Sequence, residues 1–124
     1  MTSSLSPGLL DLVQHTLLSE VVDELAIGLI VYDEDGKYLA ANLAACRLTG
    51  YARHELLALP FGSLSDEEGH RRAEETARRG HGRGTGSLRR ANGTMLQIEW
   101  LAVATRVANL PAMAALFWAA EPAG

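Results

Sequence analysis

Cysteine is nearly absent from this sequence. A single one, Cys46, stands in 124 residues, which excludes an intrachain disulfide and any multi-cysteine metal cluster. Aromatic residues are scarce, at 6%, so the core has to be built from aliphatic side chains and alanine. No apolar run approaches the roughly 18 residues of a membrane-crossing helix. The amino terminus lacks the basic start of a signal peptide. These absences lead us to expect a cytoplasmic protein with no membrane partner. No internal repeat or low-complexity tract is apparent. No catalytic constellation stands out, because each histidine lacks an obvious nucleophile or metal partner in sequence, so the expectation is that the chain is not an enzyme.

What is present suffices for one domain with a core, since 48% of the residues are apolar. Charge is placed unevenly. Residues 1–69 carry three basic and eleven acidic side chains, and residues 70–124 carry eight and four. Arginines 71, 72, 78, 79, 83, 89 and 90 invite a nucleic-acid reading. Against it, Asp66, Glu67, Glu68, Glu74 and Glu75 are interleaved or adjacent. Glu75 and Arg79 are spaced for an i,i+4 pair, as are Glu74 and Arg78. A solvated, salt-bridged face is expected, and no nucleic-acid partner.

The stretch from Gly28 to Tyr51 organises the rest. An apolar strand at residues 27–32 leads into Asp33-Glu34-Asp35-Gly36, whose Asp-Gly pair favours a type I′ hairpin. A second strand follows at residues 37–40. Asn42 can cap a short helix, and Gly50 can end it in the left-handed conformation. The order Asp33, Gly36, Asn42, Ala44, Gly50, Tyr51, then Glu55-Leu56-Leu57, resembles the PAS sensor domain, whose members often read D-x-x-G, N-x-A, T-G-Y and E-L-L at this spacing. The resemblance extends over roughly residues 22–120. It implies an α+β fold, a five-stranded antiparallel sheet flanked by short helices.

The remaining chain divides into a leading helix over residues 1–25, the PAS domain over 26–121 and a tail over 122–124. Ser6-Pro7 reads as a helix start. Leu10, Val13, Leu17 and Val21 form one stripe of that helix, and Leu18, Val22 and Leu25 another. Together they are wider than one core-facing stripe, so the helix is expected to meet a second chain and form a homodimer; burial on several sides within one chain is the alternative. Residues 53–58 suggest another helical turn or two. Ser65 and Glu68 form a capping-box pattern for a helix reaching Arg79, with Gly80 as its stop. His81-Gly82-Arg83-Gly84-Thr85-Gly86 reads as a mobile loop. Residues 87–91 form a strand, Asn92-Gly93 a hairpin, residues 94–107 a long strand, Asn109 to Pro111 a turn, and residues 112–120 the last strand. The first strand is expected to pair with the last.

The resemblance also implies function: a sensory and interaction module of a signalling protein, whose output domain or protein is of the histidine kinase, cyclase or transcription-regulator kind. A pocket would lie between the inner sheet face and the long helix. Ile30 and Tyr32 on the first strand, Ala73 and Ala77 on the helix, and Ile98, Trp100 and Ala102 on the long strand are its expected lining. Many small residues face it. A dry void of about 300 Å³ would cost roughly 7 kcal/mol, so the space holds a ligand or water, or is closed by Trp100, Trp118, Phe61 and Phe117. No cofactor is favoured. In heme-binding relatives a histidine of the long helix ligates the iron, and His70 lies within about one residue of that place, a rotation of about 100°. Flavin has one hint, Trp100, whose indole can stack on a ring. The N-C-R-F-L-Q motif of relatives that bond flavin through cysteine is missing, and Cys46 lies on a different helix. Heme, flavin and a ligand-free dimerisation module remain open alternatives.

Overall fold

The computed structural model describes residues 20–60 and 62–121. Along the chain these form β1 (Gly28–Asp33), β2 (Tyr38–Ala41), α1 (Leu43–Thr49), α2 (Arg53–Leu57), α3 (Glu67–Arg79), β3 (His81–Arg89), β4 (Met95–Val107) and β5 (Leu110–Ala119). The strands make one antiparallel sheet in the order β2-β1-β5-β4-β3. The first strand does pair with the last, with Ile30 opposite Ala115 and Gly28 opposite Phe117.

Asn42 ties the first strand to the first helix. Its Oδ1 accepts from Ala45 N–H at 2.9 Å, capping α1, and from Leu29 N–H at 2.8 Å. Its Nδ2 donates to the Ile27 carbonyl at 2.9 Å. A buried amide that meets three backbone groups satisfies itself and fixes where α1 leaves the sheet. Gly50 ends α1 with φ 80°, the left-handed cap expected of it.

Asp33 organises the β1–β2 turn, its Oδ1 accepting from the N–H groups of Asp35 and Lys37, each at 2.9 Å. The turn is not type I′. Gly36 N–H bonds Asp33 O at 3.0 Å and Asp33 N–H bonds Lys37 O at 2.9 Å, and only Gly36 has positive φ. This is a three-residue loop whose glycine makes a bulge, and the β1–β2 register shifts beside it, between Val31 and Tyr32. Asn92-Gly93 closes β3 and β4 in the same way, with Gly93 at φ 84°. The two-residue turn with two positive φ values is elsewhere, at Ala108 (50°) and Asn109 (66°) between β4 and β5.

Three further expectations change. Residues 81–86 are not a loop: they begin β3, paired with β4 from His81–Val103 through Arg89–Met95 without a register shift. The cap of α3 is Asp66, not Ser65, its Oδ1 accepting from Gly69 N–H at 2.8 Å. Glu75 does pair with Arg79, at 3.0 Å, but Glu74 lies 3.5 Å from His70. The helix ends at Gly80, as expected.

The core cluster gathers Ile30, Tyr38, Ala45, Leu56, Leu64, Leu88 and Phe117, with Tyr51 and Trp100 packed at its border. It lies on the inner sheet face, beneath the helices. The outer face carries an apolar row from Leu29 through Leu116 to Leu101, and a second from Val31 through Ala114 to Val103. Of the leading stripe, Leu10, Val13 and Leu17 lie outside the described residues. Residues 20–24 are helical, and Val21 is 52% exposed. No helix among the described residues is long and apolar enough to cross a membrane.

Candidate functional site: a cavity between the long helix and the sheet

The inner faces of β1, β3, β4 and β5 form the floor of a cavity of about 370 Å³, and α3 with the segment before it forms the roof. Strand alternation brings Ile30 and Tyr32 from β1 and Ile98, Trp100 and Ala102 from β4 into it. Ala73 of α3 lines it too. Ala77 does not: it is exposed, and Thr76, buried, takes its place. On the helix Gly69, Arg72, Ala73 and Thr76 line the cavity as an i, i+3, i+4, i+7 face, with Glu68 beside it, and Ala77, one residue or about 100° on from Thr76, falls just past the edge of that face.

Phe117, named among the residues that could close the space, lines it from β5 together with Ala115. Tyr38 of β2, Leu88 of β3 and Leu64 of the segment before α3 escaped the sequence reading. Gly86, read as loop, lines the cavity from β3. The glycines of β3 have distinct neighbours. A Cβ on Gly82 would fall 2.6 Å from Thr76 Oγ1, so the bare backbone there lets α3 sit close to the strand. A Cβ on Gly84 would lie 3.4 Å from Trp100 Cζ2 and 3.6 Å from Arg72 Nη1. The indole therefore lies across β3, with the guanidinium close by.

Arg72 closes one side. Its Nη1 donates to the Thr85 carbonyl at 3.0 Å, and its Nη2 to Glu68 Oε1 at 3.2 Å. One side chain thus straps the helix to the sheet edge across the mouth. The charged lining residues are Asp66, Glu68 and Arg72, all exposed, so the interior is apolar with hydroxyls of Tyr32, Tyr38, Thr76 and Ser87 around it. Burial pushes the phenol of Tyr38 up to about 12, and Tyr32 is raised for the same reason. Both present neutral phenols to the site at any ordinary pH.

His70 does not line the cavity. Its side chain is 39% exposed beside Glu74, and its ring covers Gly62, where a Cβ would fall 2.7 Å from Nδ1. His70 is thus not aimed into the cavity, and the heme alternative finds no ligand in it. Trp118 does not close the cavity either: it turns to the outer face and donates to Glu99 Oε2 at 2.7 Å. Phe61 lies outside the described residues. Cys46 is half-buried on α1 and is not among the lining residues.

A mixed sheet-and-helix domain that encloses a ligand-sized cavity under one long helix defines a sensor-type fold. The family model of the PAS fold matches residues 16–109, and the chain belongs to that family. Solved structures agree. A PAS domain from a two-component sensor histidine kinase superposes with a TM-score of 0.74 at 14% identity, covering 89% of this chain and 99% of that one. A domain of a sensory box sensor histidine kinase/response regulator from Geobacter sulfurreducens gives 0.67 at 25% identity, with 85% and 93% covered. A light-oxygen-voltage domain studied with a flavin analogue gives 0.69 at 18% identity, with 84% of each chain covered. No curated protein matches the chain in sequence.

Proposed function

We propose that this PAS domain is a sensory and protein-interaction module without catalysis of its own, which takes a small ligand into the cavity and passes the change to a signalling output of the histidine kinase or transcription-regulator kind. The observation that carries the reading is the cavity itself. A closed, dry space of about 370 Å³ would cost roughly 9 kcal/mol at about 24 cal/mol per Å³, and this cavity opens at a mouth, so it holds water or a ligand in place of a void. A ligand that displaces water from the apolar lining gains the burial of its own apolar surface. The apolar interior favours a ligand whose buried part is uncharged. Mass spectrometry under native and denaturing conditions tests this: a mass difference lost on denaturation is expected. Equal masses, together with unchanged stability after screening a metabolite library, would refute the ligand.

Heme is disfavoured by the position of His70, and a cysteine–flavin adduct by the position of Cys46. A non-covalent flavin keeps one supporting feature, the half-buried indole of Trp100 on the lining. Visible absorbance of the purified protein distinguishes it from a colourless ligand.

Dimerisation belongs to the same proposal. The outer sheet face is apolar in two rows, with Leu101 37% and Val103 45% exposed, and Val21 and Leu25 at the helix end are 52% and 63% exposed. A helix with the stripe Leu10, Val13, Leu17 and Val21 would cover such a surface in a homodimer. Light scattering should give a dimer mass that Leu17→Glu halves; an unchanged monomer mass in both refutes it. A cytoplasmic location accompanies this proposal.

A further inference from the structure

β3 is the last strand of the sheet, paired only with β4. Its hydrogen-bonding directions are fixed by four contacts. Gly80 O accepts from Ala104 N–H and Arg90 N–H donates to Thr94 O, so even-numbered residues face β4. Thr85 O accepts from Arg72 and Arg89 N–H donates to Leu64 O, so odd-numbered residues face away. In a regular antiparallel strand a residue's N–H and C=O point the same way. His81 and Arg83 therefore hold both groups at the open edge, and Thr85 holds its N–H there.

A groove runs beside this half of the edge. Arg72, Glu75 and Arg79 of α3 line one side, and Arg83 with Leu101 the other. Three arginines face one glutamate there, in a chain whose net charge is −4. Even after Glu68 is counted against Arg72, the groove stays positive. Long open strand edges are ordinarily blocked by bulges, proline, charged side chains or cover. Between His81 and Thr85, β3 has no bulge and no proline; Arg72 covers only the Thr85 carbonyl, and Arg83 sets the sign of charge that the edge admits.

We propose that the β3 edge and its groove dock an extended acidic peptide segment of a partner protein, added to the sheet as a sixth strand. Backbone groups of His81, Arg83 and Thr85 pair with the segment. Its alternate side chains point to the two sides of the sheet. Carboxylates on one side meet Arg79, and on the other Arg83, with an apolar residue against Leu101. A nucleic acid fits the edge less well. Its backbone has no N–H for the carbonyls of His81 and Arg83, and those carbonyls and Glu75 repel phosphate.

The test uses the full chain and a fluorescent nine-residue peptide alternating Glu and Val, titrated by anisotropy. Its Lys–Val counterpart, the same acidic peptide N-methylated at alternate residues, and a single-stranded RNA nonamer are titrated alongside. Saturable binding of the acidic peptide alone is expected, weakened about tenfold or more by Arg83→Glu. Thr85→Pro, which removes an edge donor but no bond to β4, weakens it to a similar degree. Arg47→Glu, on α1, leaves it unchanged. Equal binding of the N-methylated peptide, equal loss with Arg47→Glu, binding of the RNA in preference to the peptide, or no binding at millimolar peptide each overturns the proposal. None of these readouts depends on an occupant of the cavity.

Discussion

The ring of Phe117 occupies the space above Gly28 that any side chain would need: a Cβ there would lie 2.5 Å from Cζ and 2.7 Å from Cε1. The two residues are register partners at the centre of the sheet, and Phe117 is 4% exposed. The absent side chain is a packing requirement, since Gly28 does not have positive φ. Gly28→Ala should destabilise the domain by about 1–3 kcal/mol through overpacking, seen as a lower urea midpoint with an unchanged slope. Adding Phe117→Leu should recover part of the loss; a purely additive double variant would count against the contact.

Asn42 is 7% exposed and meets three backbone groups. Asn42→Ala removes a helix cap, about 1 kcal/mol, and strands Leu29 N–H and Ile27 C=O, about 1–3 kcal/mol more. The total expected in chemical denaturation is about 2–4 kcal/mol. Asn42→Asp keeps the acceptor but faces a carboxylate toward the Ile27 carbonyl, so it should rescue only part of the loss.

Alkaline pH should weaken the fold through Tyr38. Burial, with a smaller push from Tyr32, takes its phenol from 10.0 to about 12, against an opposing hydrogen bond from the Gly62 backbone. A folded-state value above the unfolded one means that the native state holds the proton more tightly. The stabilisation is complete below pH about 10 and is lost as pH rises toward about 12, up to ~2–3 kcal/mol at 1.36 kcal/mol per unit. Urea midpoints at pH 8 and 11 should therefore separate in the native protein and separate less in Tyr38→Phe. Some difference should persist, because Tyr32 is raised too.

The glycines of β3 should not be equivalent. A Cβ at Gly86 would meet Trp100 Nε1 at 3.8 Å, ordinary contact, whereas at Gly82 it would meet Thr76 Oγ1 at 2.6 Å. Gly86→Ala should be neutral or stabilising by about 0.5–1 kcal/mol, from reduced freedom of the unfolded chain. Gly82→Ala should destabilise by about 1–3 kcal/mol as α3 is pushed from the sheet. Melting temperatures of the two variants compare them directly, and equal shifts would count against the packing of Thr76 on this strand.

What was legible in the residues alone was what short-range chemistry decides. Asn42 as a cap, Gly50 and Gly80 as helix stops, and turns at Asp35-Gly36 and Asn92-Gly93 depend on neighbours within a few positions. So does the alternation that sends Ile98, Trp100 and Ala102 to one face of β4. Their joint spacing was enough to identify the fold family. The cap of α3 was misplaced by one residue, since Ser65 and Asp66 are both good N-caps and only the docked helix chooses between them.

Other features required the folded chain. Five residues of glycine-rich sequence after His81 have weak strand preference of their own. They become a strand because β4 supplies the ladder, and because Thr76 and Trp100 occupy the space that side chains would take. The helix's own pattern puts Gly69, Ala73, Thr76 and Ala77 on one side, and how it rolls against the sheet decides that Thr76 is buried and Ala77 exposed. Trp118 and Trp100 sit on opposite faces because the β4–β5 register places Trp118 beside Glu99, where the indole N–H finds a carboxylate. Local propensity wrote the caps and turns; the close approach of distant segments decided which small residues had to stay small, and so where the cavity lies.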